Sequence, residues 1–317
     1  MHKRRTQFAK RVTRAAQVIE HQGVVATYEL HDRLLANAGA RRRLAEAGPP
    51  QLDDVQQRIV NDLHAQGYSL LSFEDLFPEP SPWTTLDAHA GAFIAACEQG
   101  LARERETGLV DAGLSRRPGK EFVVRRYPYG IRLGLDDPWL RIAADRRMLD
   151  IANTYHGFWS KLQYLDFWYT PPVPADTPRR VSQHWHRDYD DRHLLKAFIY
   201  LVDVDDDTGP FEFIPGSEPG GPYGELWPWR PAGDAYPPPD ELEARGLPVR
   251  TFTGPKASML FCNTAGLHRG GFCTGKARVL ATCTYDSPAA LKALTLRNFT
   301  FQQNGTELDD VVRHALT

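Results

Sequence analysis

The chain of 317 residues has only four cysteines, and none of them falls in a C-x-x-C zinc spacing. Cys262, Cys273 and Cys283 lie on or near apolar, strand-like runs, so buried free thiols in a reducing cytoplasm are expected. A strong net charge is also missing. Lys and Arg number 38 against 40 Asp and Glu, a balance of −2. Nothing therefore pulls the chain as a whole toward nucleic acid or an anionic membrane, and neither partner is expected. No apolar run approaches the ~20 residues that span a bilayer. Residues 1–14 are basic but lack the apolar centre of a secretory signal, and they read as a solvated helix face. With no internal repeat and no long linker, one domain over residues 1–317 is expected.

What is present falls into regular segments. Residues 1–47 are rich in Ala, Arg, Leu and Glu and read as helical up to Gly48-Pro49-Pro50. A second helix is predicted from Asp53 or Asp54, with Val55, Ile59 and Leu63 as its apolar stripe and Gly67 closing it. Residues 68–73 read as a short strand. Pro78, Pro80 and Pro82 then break the chain before a helix over 85–105. Residues 121–127 form a strand whose Arg125 and Arg126 read as solubilising edge charges, with contact to an anionic substrate the rarer reading. Asp137-Pro138 opens a helix to about residue 155. Residues 158–170 are an aromatic-dense strand. Residues 216–248 are dominated by Pro, Gly and Trp; they read either as a lid over the site or as a surface excursion. A final helix is capped by Thr306 with Asp309 three residues on.

The chemistry concentrates in Gln183-His184-Trp185-His186-Arg187-Asp188. On an extended segment alternate side chains share a side, so His186 and Asp188 can bite one metal ion together. A third ligand must come from elsewhere, and His268 in Ala265-Gly266-Leu267-His268-Arg269-Gly270-Gly271 is the best candidate. Two histidines and a carboxylate on one face, with the other positions open, suit non-haem Fe(II) oxygenases. Between these ligands come Ala197-Phe198-Ile199-Tyr200-Leu201-Val202, acidic residues 203–207 and Gly209-Pro210-Phe211-Glu212-Phe213-Ile214-Pro215-Gly216-Ser217. Ten residues beyond His268, Arg278 opens the strand-like Arg278-Val279-Leu280-Ala281-Thr282-Cys283-Thr284-Tyr285, with Arg278, Leu280 and Thr282 on one face.

This order of blocks, over residues 159–285, resembles the phytanoyl-CoA dioxygenase-like family of Fe(II)- and 2-oxoglutarate-dependent oxygenases. Two departures stand out: Glu218 follows Ser217 where the family often has His, and Gly270-Gly271 replaces a polar residue after the distal His. The resemblance implies a mostly β fold with flanking helices, built on a double-stranded β-helix (jelly-roll, cupin-like) core. Residues 1–120 would form a mainly helical part packed on a core of 121–300, with a C-terminal helix in 301–317. It implies metal ligation by His186, Asp188 and His268. Arg278 would hold the far carboxylate of 2-oxoglutarate, a task suited to a guanidinium that bonds carboxylate bidentately and stays charged. Fe(II), 2-oxoglutarate and O2 would oxidise a small organic molecule, releasing succinate and CO2. An intact Asp188 separates the chain from related iron halogenases, which have a small residue there. A cupin-type site using His184 and His186, with Asp190 nearby and no oxo acid, is the competing reading. A jelly-roll binding protein without catalysis is a third. Trp168, Trp227 and Trp229 are candidate pocket walls, and Lys196 could meet an acid group of substrate or co-substrate.

Overall fold

The computed structural model describes residues 23, 25–117, 120–230, 236–290 and 297–317. In chain order the strands are β1 (Tyr68–Ser72), β2 (Arg116–Arg117), β3 (Lys120–Arg125), β4 (Ile131–Leu133), β5 (Lys161–Thr170) and β6 (Leu195–Tyr200). They continue with β7 (Phe211–Phe213), β8 (Arg250–Phe252), β9 (Ser258–Cys262), β10 (His268–Arg269), β11 (Arg278–Asp286) and β12 (Phe299–Phe301). Seven make one antiparallel sheet in the order β1-β9-β6-β11-β5-β3-β2. Three make a small antiparallel sheet, β10-β7-β8, and β12 runs parallel to β4.

Period-two alternation divides the apolar residues between the two faces of the large sheet. Ala197 and Ile199 of β6, Met259 and Phe261 of β9, and Val279, Ala281 and Cys283 of β11 enter one core, which the helices cover. Phe198, Tyr200, Leu260 and Leu280 point the other way and meet Phe211, Phe213 and Phe252 of the small sheet. The division of β11 into two faces is the one its sequence predicts. All four cysteines are buried and free.

The helices follow their capping signals more closely than their proline content. Helix Asp54–Gln66 has a full capping box between Asp53 and Gln56, buries Ile59, Val60 and Leu63, and ends at Gly67 in the left-handed region. Pro80 and Pro82 do not break the chain. They sit in the first turn of the 28-residue helix Pro80–Thr107, where the missing proline N–H has no intrahelical partner to lose. Asp145 caps a helix of its own, so the single helix expected after Asp137 becomes Pro138–Ala143 and Arg146–His156. At the C-terminus Asp309, not Thr306, is the cap, accepting from the amides of Val311 and Val312.

Two further expectations are corrected. The fold is mixed helix and sheet, not mostly β: helices pack on one face of the large sheet and share its core. Within the mainly helical N-terminal part, β1 lies where the strand over 68–73 was expected, pairs with β9 and forms an edge of that sheet. Of the expected first helix, residues 1–22 and 24 lie outside the described residues. The remainder is helical over 25–33, breaks at Leu34 and Leu35, and resumes as Ala36–Ala47. No helix among the described residues is long and apolar enough to cross a membrane.

Candidate active site

Backbone pairing brings the separated motifs together. His186 and His268 form an isolated antiparallel bridge in which each amide donates to the other residue's carbonyl at 2.9 Å. The Asp188 amide donates to the carbonyl of Thr264, also at 2.9 Å. His268 is in turn paired with Phe213 across β10 and β7. Pinned in this way, His186, Asp188 and His268 place one ligand atom each within 4.8 Å of one another.

Each imidazole is aimed by its own backbone. His186 Nδ1 lies 2.9 Å from the carbonyl oxygen of His184, and His268 Nδ1 lies 2.9 Å from that of Gly266. A carbonyl only accepts, so Nδ1 carries the proton in both rings and Nε2 keeps its lone pair. The second ring's Nε2 is 3.6 Å from Asp188 Oδ2. Burial, aided by the neighbouring His268, holds His186 well below the ordinary histidine range, and burial takes His268 down to about 4. Both rings are therefore neutral at pH 7, the form that binds metal. For Asp188, burial pushes upward, but the Lys196 ammonium hydrogen-bonded to it outweighs burial and keeps the carboxyl ionised.

The triad sits in the wall of a cavity that also contains Arg278, Lys196, Thr170, Trp168 and Gly270. Arg278 opens β11 opposite Thr170 of β5, and its Nη1 donates to the carbonyl of Gly209. Its Nε is buried and has no hydrogen-bond partner among the described residues. A buried, unserved donor on a fixed cation is the group a bound carboxylate would complete. The residues present thus fit both an octahedral divalent metal and a dicarboxylate beside it.

The glycines around Arg278 follow from close packing. A Cβ on Gly271 would lie 2.2 Å from the Pro210 carbonyl oxygen and 2.3 Å from the Gly209 carbonyl carbon. This explains the glycine at 271; at Gly270 a Cβ would make only ordinary contacts at 3.5 Å. Gly209 itself has φ +65, and a Cβ there would meet the Phe272 backbone at 2.5 Å. Gly209→Ala is expected to displace the carbonyl that holds Arg278. A titration should show 2-oxoglutarate affinity falling at least as far as thermal stability suffers.

Residues 216–248 contribute directly to the site, although 231–235 lie outside the described residues. Trp229 Nε1 donates to the Asp188 carbonyl at 3.0 Å, and the Tyr236 ring stacks on His186 at 5.4 Å between centroids. Trp227 packs instead beside Trp185 and Leu267 in a separate apolar cluster. Of the three candidate tryptophans, only Trp168 lines the cavity. Arg187 does not join the triad; it ties the carbonyls of Ser217, Ala265 and Gly224. Ser217 Oγ accepts from the Leu267 amide, fixing the loop that carries His268.

Several expectations meet different surroundings. His184 Nε2 is spent on the Arg179 carbonyl, and neither His184 nor Asp190 joins the triad, so the cupin arrangement is not favoured. Arg125 is no edge charge: it is buried, donates to the Tyr127 carbonyl and lies 3.5 Å from Asp166. Arg126 Nε meets His89 Nε2 at 2.8 Å, and neither arginine lines the cavity. Lys120, Phe122, Gln183 and Phe211 do line it, and none of them carries a sequence signal for a site role. Phe211 was nonetheless visible as the residue between Gly-Pro and the next alternating apolar position.

No family model matches the chain, and no curated protein matches it. Among solved structures, the chain is similar to EctD from S. alaskensis in complex with 2-oxoglutarate and 5-hydroxyectoine. Identity is 19%, with 75% of this chain and 79% of that chain covered and a TM-score of 0.51. EctD from S. alaskensis with bound Fe matches to the same extent. The epimerase SnoN, in complex with Fe3+, alpha ketoglutarate and nogalamycin RO, is matched at 18% identity over 80% of this chain and 92% of that one, TM-score 0.48. At these identities the likeness to EctD is a likeness of fold.

Proposed function

We propose that the chain is an Fe(II)- and 2-oxoglutarate-dependent dioxygenase of the phytanoyl-CoA dioxygenase-like kind, with a jelly-roll core, acting on a small organic molecule. The observation that carries this reading is the meeting of two neutral, pre-aimed imidazoles and one ionised carboxylate in a cavity that also holds an incompletely bonded arginine. The iron and 2-oxoglutarate bound to EctD point the same way. With Fe(II), 2-oxoglutarate and O2 present, the chemistry supplied is oxidation of a substrate C–H bond, with release of succinate and CO2.

The protein's own part is positional. His186 and His268 present Nε2 without reorganisation, because the carbonyls of His184 and Gly266 already hold their rings. Asp188 supplies the third ligand and stays ionised beside Lys196. Arg278, whose buried Nε lacks a partner among the described residues, would hold the far carboxylate of the oxo acid. Trp168, Phe198, Leu260 and Leu280 keep the cavity apolar and limit water.

Anaerobic Fe(II) binding to the purified protein, followed by visible absorption with and without 2-oxoglutarate, tests the reading. A weak charge-transfer band is expected only when both are present. Arg278→Ala should weaken 2-oxoglutarate binding by roughly 10–100-fold, the value of a charge-assisted hydrogen-bond pair. Iron binding with no such band would return the cupin reading.

A further inference from the structure

The cavity has more positive charge than the proposed reaction uses. Among the described residues lining it, Asp188 is the one carboxylate, while Lys196 and Arg278 are both cationic and Lys120 borders the same space. A divalent metal and the doubly charged oxo acid cancel each other. Loading the site therefore leaves Lys196 and Arg278 still outnumbering Asp188.

Lys196 is the cation whose surroundings change on loading. Its side chain is 14% exposed, and its ammonium is hydrogen-bonded to Asp188, itself 17% exposed. A metal at the triad claims the same carboxylate and places two positive charges beside that ammonium. A largely buried ammonium that shares its counter-ion with a metal is poorly compensated unless another anion arrives. The strand sets what kind of anion fits. Lys196, Phe198 and Tyr200 alternate along β6 on the cavity side, and the strand register places Leu280 beside Tyr200 and Trp168. An ammonium thus lies two residues from an aromatic ring on one wall.

We propose that Lys196 is a second anion seat, separate from Arg278, that takes the acid group of the substrate, so that the substrate is a small organic acid with an apolar, ring-bearing body. This rests on the oxygenase reading above. The seat fills only after metal and oxo acid are in place, because Asp188 alone satisfies Lys196 before then.

The probe is benzoate, with benzamide as its neutral counterpart. Each is titrated calorimetrically and anaerobically into protein saturated with Fe(II) and 2-oxoglutarate. Wild type should bind benzoate and not benzamide. Lys196→Met should weaken benzoate binding tenfold or more while leaving 2-oxoglutarate affinity within about twofold, and Lys196→Arg, which keeps the charge, should restore it. Retained iron and oxo-acid binding shows that each variant is folded. Equal benzoate binding by wild type and Lys196→Met, or none by wild type, overturns the proposal. So does a tenfold loss of 2-oxoglutarate affinity in Lys196→Met, which would give the ammonium to the co-substrate. Failure of wild type to bind Fe(II) and 2-oxoglutarate would instead overturn the oxygenase reading, which the Arg278→Ala titration examines independently.

Discussion

Asp188→Ala is expected to remove stoichiometric iron and, with it, all 2-oxoglutarate turnover. Loss of a residue that merely supports a ligand costs roughly 10–100-fold in metal affinity, and loss of a ligand should cost more. Asp188 also supplies the only negative charge in the triad, against two neutral imidazoles and the Lys196 ammonium. The variant leaves that ammonium without its counter-ion, so some loss of stability is expected beside the loss of metal. The double variant Asp188→Ala/Lys196→Met separates the two effects: it should recover stability without recovering iron. Metal content after desalting is the measurement. A single variant that keeps one iron per chain would remove Asp188 from the ligand set.

Trp139→Ala should cause the largest loss of stability, about 3–5 kcal/mol, in line with other truncations of buried large aromatics. Trp139 is completely buried, and its Nε1 donates to the Thr282 carbonyl of β11 at 3.1 Å. From the same strand, the Tyr285 hydroxyl donates back to the Ala143 carbonyl at 2.6 Å. Helix Pro138–Ala143 is thus fastened to the strand that carries Arg278 on its opposite face. Trp139→Phe fills most of the space and lacks only the hydrogen bond, so its cost should be nearer ~1 kcal/mol. Chemical denaturation of the three proteins would rank them. Equal midpoints for wild type and Trp139→Ala would show that the helix does not brace β11.

The grouping of His186, Asp188 and His268 was legible because all three lie in short, ordered motifs, and the faces of β11 were legible because alternation is a local property. Arg278 could be placed on the inward face for the same reason. What the sequence withheld was non-local. That His184 stays out of the triad depends on the bridge from His186 to His268, 82 residues on, which aims His186 and leaves His184 outside. The burial of Arg125 depends on Asp166, which is supplied by β5. Proline misled where it stood in the first turn of a helix, a position in which its usual penalty vanishes. Gly270-Gly271 read as a lost polar contact; in the fold Gly271 is the clearance that lets the chain after β10 pass the Gly209–Pro210 backbone.

The bridge between His186 and His268 also bears on the order in which the site is assembled. Two of the three triad residues are joined by a pair of main-chain bonds, and their rings are oriented by carbonyls two residues upstream. Nothing in that arrangement waits for a metal. Folding would come first and loading second, with little conformational entropy left to lose when the ion enters. Chelation should then strip iron from a protein whose amides around His186 and His268 stay as protected from hydrogen exchange as before, and the stripped protein should reload without refolding.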